Sequence, residues 1–281
     1  MPAADWPVLV SSRRWRVRLD AARPDKTRYP EGMGAHAIIT GASSGIGHGL
    51  ALELARRGYS VGLIARRADK LQELADAIAA EGGEAAVAAA DVSDAKGLAE
   101  AIAQLEQSLG PCRLLVANAG IGGASNAKNL DLELVRRTYQ VNTMGPIHAA
   151  HAVLPGMLER GRGQLVVISS IAASRGLPGS GAYSGSKAGV STFWESMRVD
   201  LHDTPLVVTT IHPGFVRTPL TDKYDSPMPF MVETDVAARW MADAIGRGDA
   251  AFTFPWQMRW VEWLMRRVPN WIFDPVVTGR R

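Results

Sequence analysis

Residues 35–47 read Ala-His-Ala-Ile-Ile-Thr-Gly-Ala-Ser-Ser-Gly-Ile-Gly. A short apolar run passes through a sharp turn at Gly41 into a helix that opens near Gly45–Gly47. That helix carries Leu50, Leu52, Leu54 and Ala55 and stops before Gly58. A strand feeding a helix through glycines is half of a strand–helix–strand unit, which commits a chain to a parallel sheet covered by helices. The same turn is a place for a pyrophosphate: glycines let the backbone approach, and the free N–H groups and dipole of the helix favour an anion. Ser43, Ser44 and Ile46 share the turn with Gly41, Gly45 and Gly47, so all six are candidate cofactor contacts.

The alternation continues to residue 254. Strands are expected at 59–65, 85–90, 112–118, 164–169, 207–211 and 251–254. Between them, helices are expected over 69–81, 130–141, 146–159 and 182–202. Ser93 is the expected cap of a helix bearing Leu98, Ile102, Leu105 and Leu109, and Thr234 that of a later one. The fold class is therefore α/β, a Rossmann-type doubly wound parallel sheet of about seven strands with helices on both faces. Ligands of such sheets bind at the carboxyl ends of the strands.

A chain of 281 residues accommodates this as one domain with a substantial core. The single cysteine, Cys112, excludes an internal disulfide, suits a reducing, cytoplasmic compartment, and reads as a small buried hydrophobe. A net charge of +3 gives no basis for nucleic-acid binding, and no apolar run is long enough to span a membrane.

The chemistry is carried by Tyr183-Ser184-Gly185-Ser186-Lys187, with Ser170 thirteen residues before it. A Tyr and a Lys four apart share a helix face. The ammonium can lower the phenol pKa, so that the phenol exchanges a proton near neutral pH. Ser170 can hydrogen-bond the oxygen that gains or loses that proton. Ser169 competes for this role, but the thirteen-residue gap favours Ser170.

Gly41-x-x-x-Gly45-x-Gly47 together with Tyr183-x-x-x-Lys187 resembles the short-chain dehydrogenase/reductase family in its compact single-domain form. Further matches follow in order: Asp91-Val92, Asn118-Ala119-Gly120, Asn142, Ser169-Ser170, then Pro213-Gly214 with Val216 and Thr218. The resemblance covers roughly 35–255; Ala117 departs from it, where the family often has a second Asn. It implies a nicotinamide cofactor and a carbonyl or alcohol substrate. It also implies that Lys187 holds the nicotinamide ribose, Asn142 positions a water, Asp91 reaches the adenine and Thr218 meets the nicotinamide amide. NADP(H) is expected over NAD(H), because the tip of the second strand reads Ala65-Arg66-Arg67 where an NAD-preferring fold places an acid. Arg66 is the expected contact.

Two readings compete: an NAD-linked alcohol dehydrogenase, and a dinucleotide-binding sensor without turnover, which the intact Ser170, Tyr183, Lys187 and Asn142 disfavour. His148 and His151, three apart, lack the carboxylates or cysteines of a metal site; His212 reads as structural, and no nucleophile elbow is present. A homodimer or homotetramer is expected. The segment 219–232, with Leu220, Met228, Phe230 and Met231, suggests an apolar substrate pocket. Residues 1–34 carry Arg13, Arg14, Arg16 and Arg18 and read as a poorly ordered extension, with a basic membrane-surface arm as the alternative. Residues 256–281 carry Trp256, Trp260, Trp263 and Trp271 and read as a cleft cover or subunit contact, with peripheral membrane contact as the sharper reading.

Overall fold

In the computed structural model, which describes residues 34–223 and 228–279, seven strands form one parallel sheet in the order β3-β2-β1-β4-β5-β6-β7. β1 (Ala35–Thr40) lies between β2 (Tyr59–Ala65) and β4 (Cys112–Ala117). β3 (Ala85–Ala89) closes one edge; β5 (Gln164–Ile168), β6 (Val207–Pro213) and β7 (Ala251–Phe254) extend the other. Strand order reverses between β1 and β4, the switch point at which such sheets open a crevice.

The helices cover both faces because alternate strand residues point to opposite sides. Ala37 and Ile39 of β1 pack with Leu50 and Leu54 of α1 (Gly45–Arg56), Leu71 and Ile78 of α2 (Ala68–Ala80) and Met241 of α7 (Thr234–Arg247). Ile38 packs the other way, with Leu98 and Ile102 of α3 (Ala95–Leu109), Val153 of α5 (Gly145–Glu159) and Trp194 of α6 (Gly181–Asp200). Central strands buried on both faces explain why they read as continuous apolar runs rather than alternating ones.

Three local expectations are corrected. Asp94, not Ser93, caps α3, accepting from the N–H groups of Lys96 and Gly97; Ser93 is drawn instead to the Asp91 carboxylate. Glu233 occupies the extended cap position before α7, and Thr234 is the first helical residue, its hydroxyl donating to the Arg217 carbonyl. The expected helix over 130–141 ends at Tyr139 as α4 (Leu132–Tyr139), and one π-helical turn, Gln140–Met144, joins it to α5. That turn carries the buried Asn142, and such turns are frequent at functional sites.

After β7 the chain forms α8 (Trp256–Met265) and α9 (Asn270–Thr278). The arginine cluster at 13–18 lies outside the described residues.

Candidate active site

A cavity of about 420 Å³ opens at the carboxyl ends of the strands. Gly41, Ser43, Ser44, Gly45 and Ile46 line it from the β1–α1 turn. Arg66 and Arg67 line it after β2, Asp91 and Val92 after β3, and Asn118, Ala119 and Gly120 after β4. Ser169, Tyr183, Lys187 and Thr218 complete the wall with Pro219 and Leu220. Most of the residues singled out in the sequence therefore meet in one place, although they come from loops far apart in the chain.

The turn has the form a phosphate group requires. Gly41 holds φ +71°, and a Cβ there would sit 2.7 Å from the Cα of Ala119. Ser44, at the N-cap of α1, makes no side-chain capping bond, and no acid stands in the first turn. The N-terminal donors of α1 are thus neither capped by Ser44 nor opposed by a carboxylate. A dinucleotide fits this cradle: the pyrophosphate would lie on the turn and the nicotinamide toward Tyr183 and Lys187.

Gly47 does not line the cavity. A Cβ on it would lie 2.4 Å from Asn118 Nδ2 and 2.5 Å from the Gly41 carbonyl oxygen, so its role is to let α1 sit tightly on the turn. Asn118 is the brace of that turn: Nδ2 donates to the carbonyls of Thr40 (2.9 Å) and Gly41 (3.3 Å). Thr40 completes it, its hydroxyl accepting from the N–H groups of Asn118 and Ala119, both at 3.1 Å. Sequence reasoning passed over Thr40; its signal was a polar residue ending an otherwise apolar strand just before the glycine turn.

Lys187 is buried in α6, and its Nζ donates to the carbonyl of Ile168 at 2.8 Å. Burial pushes its pKa down to about 8. Asn142 is fully buried one layer further in. Its Oδ1 accepts from Ile121 N–H at 2.8 Å, and its Nδ2 donates to the Ile121 carbonyl and to Ser186 Oγ. These bonds clamp the chain after β4 to α6, so what the Asn142 side chain visibly does is hold that backbone in place. A Cβ on Gly120 would lie 3.4 Å from both Asn142 Oδ1 and Lys187 Nζ, which shows how closely the three approach.

The two serines divide cleanly. Ser169 Oγ donates to the Lys187 carbonyl at 3.1 Å and pairs with Ser191 Oγ at 2.7 Å, so its hydroxyl packs α6 against β5. Ser170 Oγ accepts from Ala172 N–H at 3.1 Å at the start of the 3-10 turn Ile171–Ser174, which leaves its own proton to donate. Ser170 is set just outside the cavity lining.

Pro213, Gly214 and Val216 also stand outside the lining. Gly214 N–H donates to the Phe254 carbonyl at 2.7 Å, and a Cβ there would meet Met258 Cγ at 2.8 Å. Val216 bridges to Val232. These residues steer the chain past β7 and α8. Within 219–232, Pro219 and Leu220 reach the cavity, whereas Phe230 is half exposed.

At the tip of β2, Arg66 lies 3.7 Å from the Asp91 carboxylate. Burial raises the Asp91 pKa, but hydrogen bonds from the Ser93 N–H and hydroxyl outweigh it, helped by Arg66, and the net shift is downward. Arg67 folds back onto the turn: one guanidinium nitrogen donates to Ser43 Oγ at 3.0 Å and Ser44 Oγ at 3.1 Å. Sequence reasoning weighed both arginines and preferred Arg66 as the contact; both line the cavity.

The other candidates have local duties. His148 bonds the Val92 carbonyl, and no group of three or more metal-type ligands exists among the described residues. Burial pushes the Cys112 thiol up to about 12, beyond reactivity at neutral pH. His212 Nδ1 stands 3.3 Å from Glu262 on α8.

Residues 35–229 match the family profile described as short chain dehydrogenase. An uncharacterized oxidoreductase of Myxococcus xanthus is 48% identical over 238 residues, 85% of this chain and 94% of that protein. The crystal structure of a short-chain type dehydrogenase/reductase from Mycobacterium marinum superposes with TM-score 0.75 at 27% identity, covering 80% of this chain and 95% of that one. A single-substitution variant of actinorhodin polyketide ketoreductase with NADPH superposes with TM-score 0.73 at 28% identity, covering 79% of this chain and 97% of that one. With the turn, the sheet order and the Tyr183–Lys187 pair all in place, the chain belongs to the short-chain dehydrogenase family.

Proposed function

We propose that this NAD(P)-dependent oxidoreductase uses NADP(H) to interconvert a hydrophobic carbonyl compound and its alcohol. The observation that carries the reading is the buried Lys187 ammonium sharing one cavity wall with Tyr183 at the mouth of a phosphate-type turn. When bound, the nicotinamide supplies or accepts the hydride. Tyr183 gives its phenolic proton to the developing alkoxide, and Ser170 donates a hydrogen bond to the same oxygen. Lys187, held on the Ile168 carbonyl, places a positive charge near the phenol and favours its ionised form. Asn142 keeps the Ile121 backbone and α6 in register around that ammonium.

Arg66 and Arg67 favour NADP(H). Both line the cavity, and no carboxylate ends β2 to bind a ribose diol. A 2′-phosphate between them would gain charge-assisted bonds. Pro219 and Leu220 supply apolar lining beside Thr218, which supports a substrate held mainly by apolar burial. A cytoplasmic homodimer or homotetramer completes the proposal; the lone buried Cys112 suits a reducing compartment. No helix among the described residues is long and apolar enough to cross a membrane.

The test is a panel of ketones, aldehydes and quinones with lengthening alkyl or ring substituents, followed by NADPH absorbance. Efficiency should rise with apolar size until the pocket is full. A preference for small, charged or polyhydroxylated carbonyls would overturn the substrate class.

A further inference from the structure

The outer surface of α8 reverses the usual pattern of a surface helix. Met258 is buried beneath it, while Trp256 and Trp260 are 68% and 66% exposed and Trp263 is 48% exposed. These indoles recur at i, i+4 and i+7, which places them on one stripe. Trp271, Ile272 and Val276 of α9 are exposed as well.

The stripe is presented on a firmly held frame. On the inner side, Glu262 takes hydrogen bonds from Thr253 at 2.7 Å and Arg266 at 2.8 Å and faces His212. Arg175, just after the Ser170 turn, donates to the carbonyls of Met265 (2.9 Å) and Val268 and to Asn270 Oδ1, and its guanidinium lies 3.9 Å above the Phe273 ring. A frayed tail would have none of these ties.

The charge on the stripe selects its occupant. Arg259 and Arg267 are exposed among the indoles, Arg267 standing 4.4 Å over the Trp263 ring. The acid of α8, Glu262, faces inward and is already engaged. A second copy packed symmetrically on this stripe would set arginine against arginine with no carboxylate from α8 between them. A surface of lipid phosphates supplies the missing anions at the level where indoles settle, between headgroups and acyl chains. Arginine stems reach upward to the phosphates while the rings sit below.

We infer that the outer face of α8 docks this protein onto an anionic lipid surface as a peripheral, non-spanning attachment. Because Arg175 ties the end of α8 and the start of α9 to the turn that begins at Ser170, attachment places the catalytic end of the domain beside the bilayer. Exposed indoles and arginines work together here: apolar burial holds the protein, and the arginines give preference for negative lipid.

The full chain should be tested by co-sedimentation with vesicles of phosphatidylcholine plus phosphatidylglycerol and of phosphatidylcholine alone, with tryptophan emission recorded in parallel. Binding to the anionic vesicles with a blue-shifted emission is expected. Trp260→Ser with Trp263→Ser should reduce partitioning roughly tenfold or more. Arg259→Gln with Arg267→Gln should do so on anionic vesicles by about tenfold and hardly alter binding to neutral ones. All these side chains are exposed, so the variants should melt with the parent and keep turnover of a water-soluble substrate. Three results would overturn the inference: no sedimentation with either vesicle, sedimentation unchanged by the tryptophan substitutions, or a dimer in sedimentation equilibrium that those substitutions dissociate. The second would move attachment elsewhere in the chain, and the third would assign the stripe to a second copy.

Discussion

The Nζ of Lys187 lies 2.8 Å from the carbonyl oxygen of Ile168, the last residue of β5, and both residues are at most 4% exposed. One neutral acceptor does not replace the water an ammonium loses, so the folded protein holds this proton less tightly than the unfolded chain. The native group titrates near 8 and the unfolded one near 10.5. Between those values the unfolded chain binds more protons, so stability rises as pH rises from 8 to 10.5. At pH 7 the buried charge costs about 3 kcal/mol, while its hydrogen bond returns about 1 kcal/mol. Lys187→Met should therefore melt several degrees above the parent at pH 7, the gap closing toward pH 10, while turnover collapses. A Lys187→Met that melts well below the parent at pH 7 would show that the charge is better solvated than its burial implies.

The same titration bears on rate. With Lys187 charged in the free enzyme only below about 8, reductive kcat/KM should bend downward as pH passes 8. A profile flat to high pH would show that the ammonium is not needed in the free enzyme.

Tyr183→Phe removes one hydroxyl at the cavity wall, so folding and cofactor binding should survive while turnover falls by about 10²-fold or more. Ser170→Ala should lower turnover without touching cofactor affinity. Ser169→Ala should behave oppositely, since its hydroxyl binds the Lys187 carbonyl and Ser191: stability should drop by about 1 kcal/mol with catalysis largely kept. A thermal scan beside a steady-state assay separates the two serines.

Much of the fold and of the site is legible in the sequence itself, for identifiable reasons. β1 and β2 are short apolar runs ended by glycines or charges, and helices such as α3 carry apolar residues at 3.6-residue spacing, so their bounds fall within a residue or two of expectation. The misses are side-chain competitions that spacing does not encode. Ser93 and Asp94 are both good caps, and the outcome depended on Asp91 capturing Ser93. The π turn at Gln140–Met144 has no composition signature; it follows from the need to bring Asn142 under Ile121. Adjacent arginines such as Arg66 and Arg67 look alike in sequence, and only the fold shows one over Asp91 and the other over Ser43.

That pair makes the cofactor prediction sharper. NADPH should bind about tenfold or more tightly than NADH, since a charge-assisted contact is worth roughly 1.5–3 kcal/mol. Arg66→Ala should erase most of the difference by removing the exposed guanidinium. Arg67→Ala should weaken both cofactors, because it also frees Ser43 and Ser44 of the turn. Fluorescence titration of both cofactors against parent and variants decides it. Equal affinities in the parent, or no change in Arg66→Ala, would reverse the assignment.

Glu262 fastens α8 to the sheet, and its charge state controls the fastening. Burial raises its carboxyl pKa, but hydrogen bonds from His212 and Thr253, together with the His212 and Arg266 charges, outweigh this and bring it down to about 2 from 4.5. The unfolded chain takes up this proton near 4.5 while the native one resists to about 2, so the stabilisation is complete above 4.5 and drains away as pH falls between the two. His212 continues the connection inward, its Nε2 lying 3.4 Å from Ser191 Oγ, which donates to the Lys187 carbonyl. Glu262→Gln keeps the shape and a bond to Thr253 but loses the charge. The variant should melt a few degrees lower at pH 7, with the gap narrowing below pH 4.5. It should also be cut faster by trypsin after Arg259, Arg266 and Arg267, because a loosened α8 exposes backbone that the core does not. Arg175→Gln should speed the same cleavages from the C-terminal end of α8, by freeing the Met265 and Val268 carbonyls. If Glu262→Gln leaves both melting and cleavage unchanged, the remaining contacts, Met258 and Arg175 among them, hold the helix without it, and the link from α8 to Lys187 through His212 carries no energy.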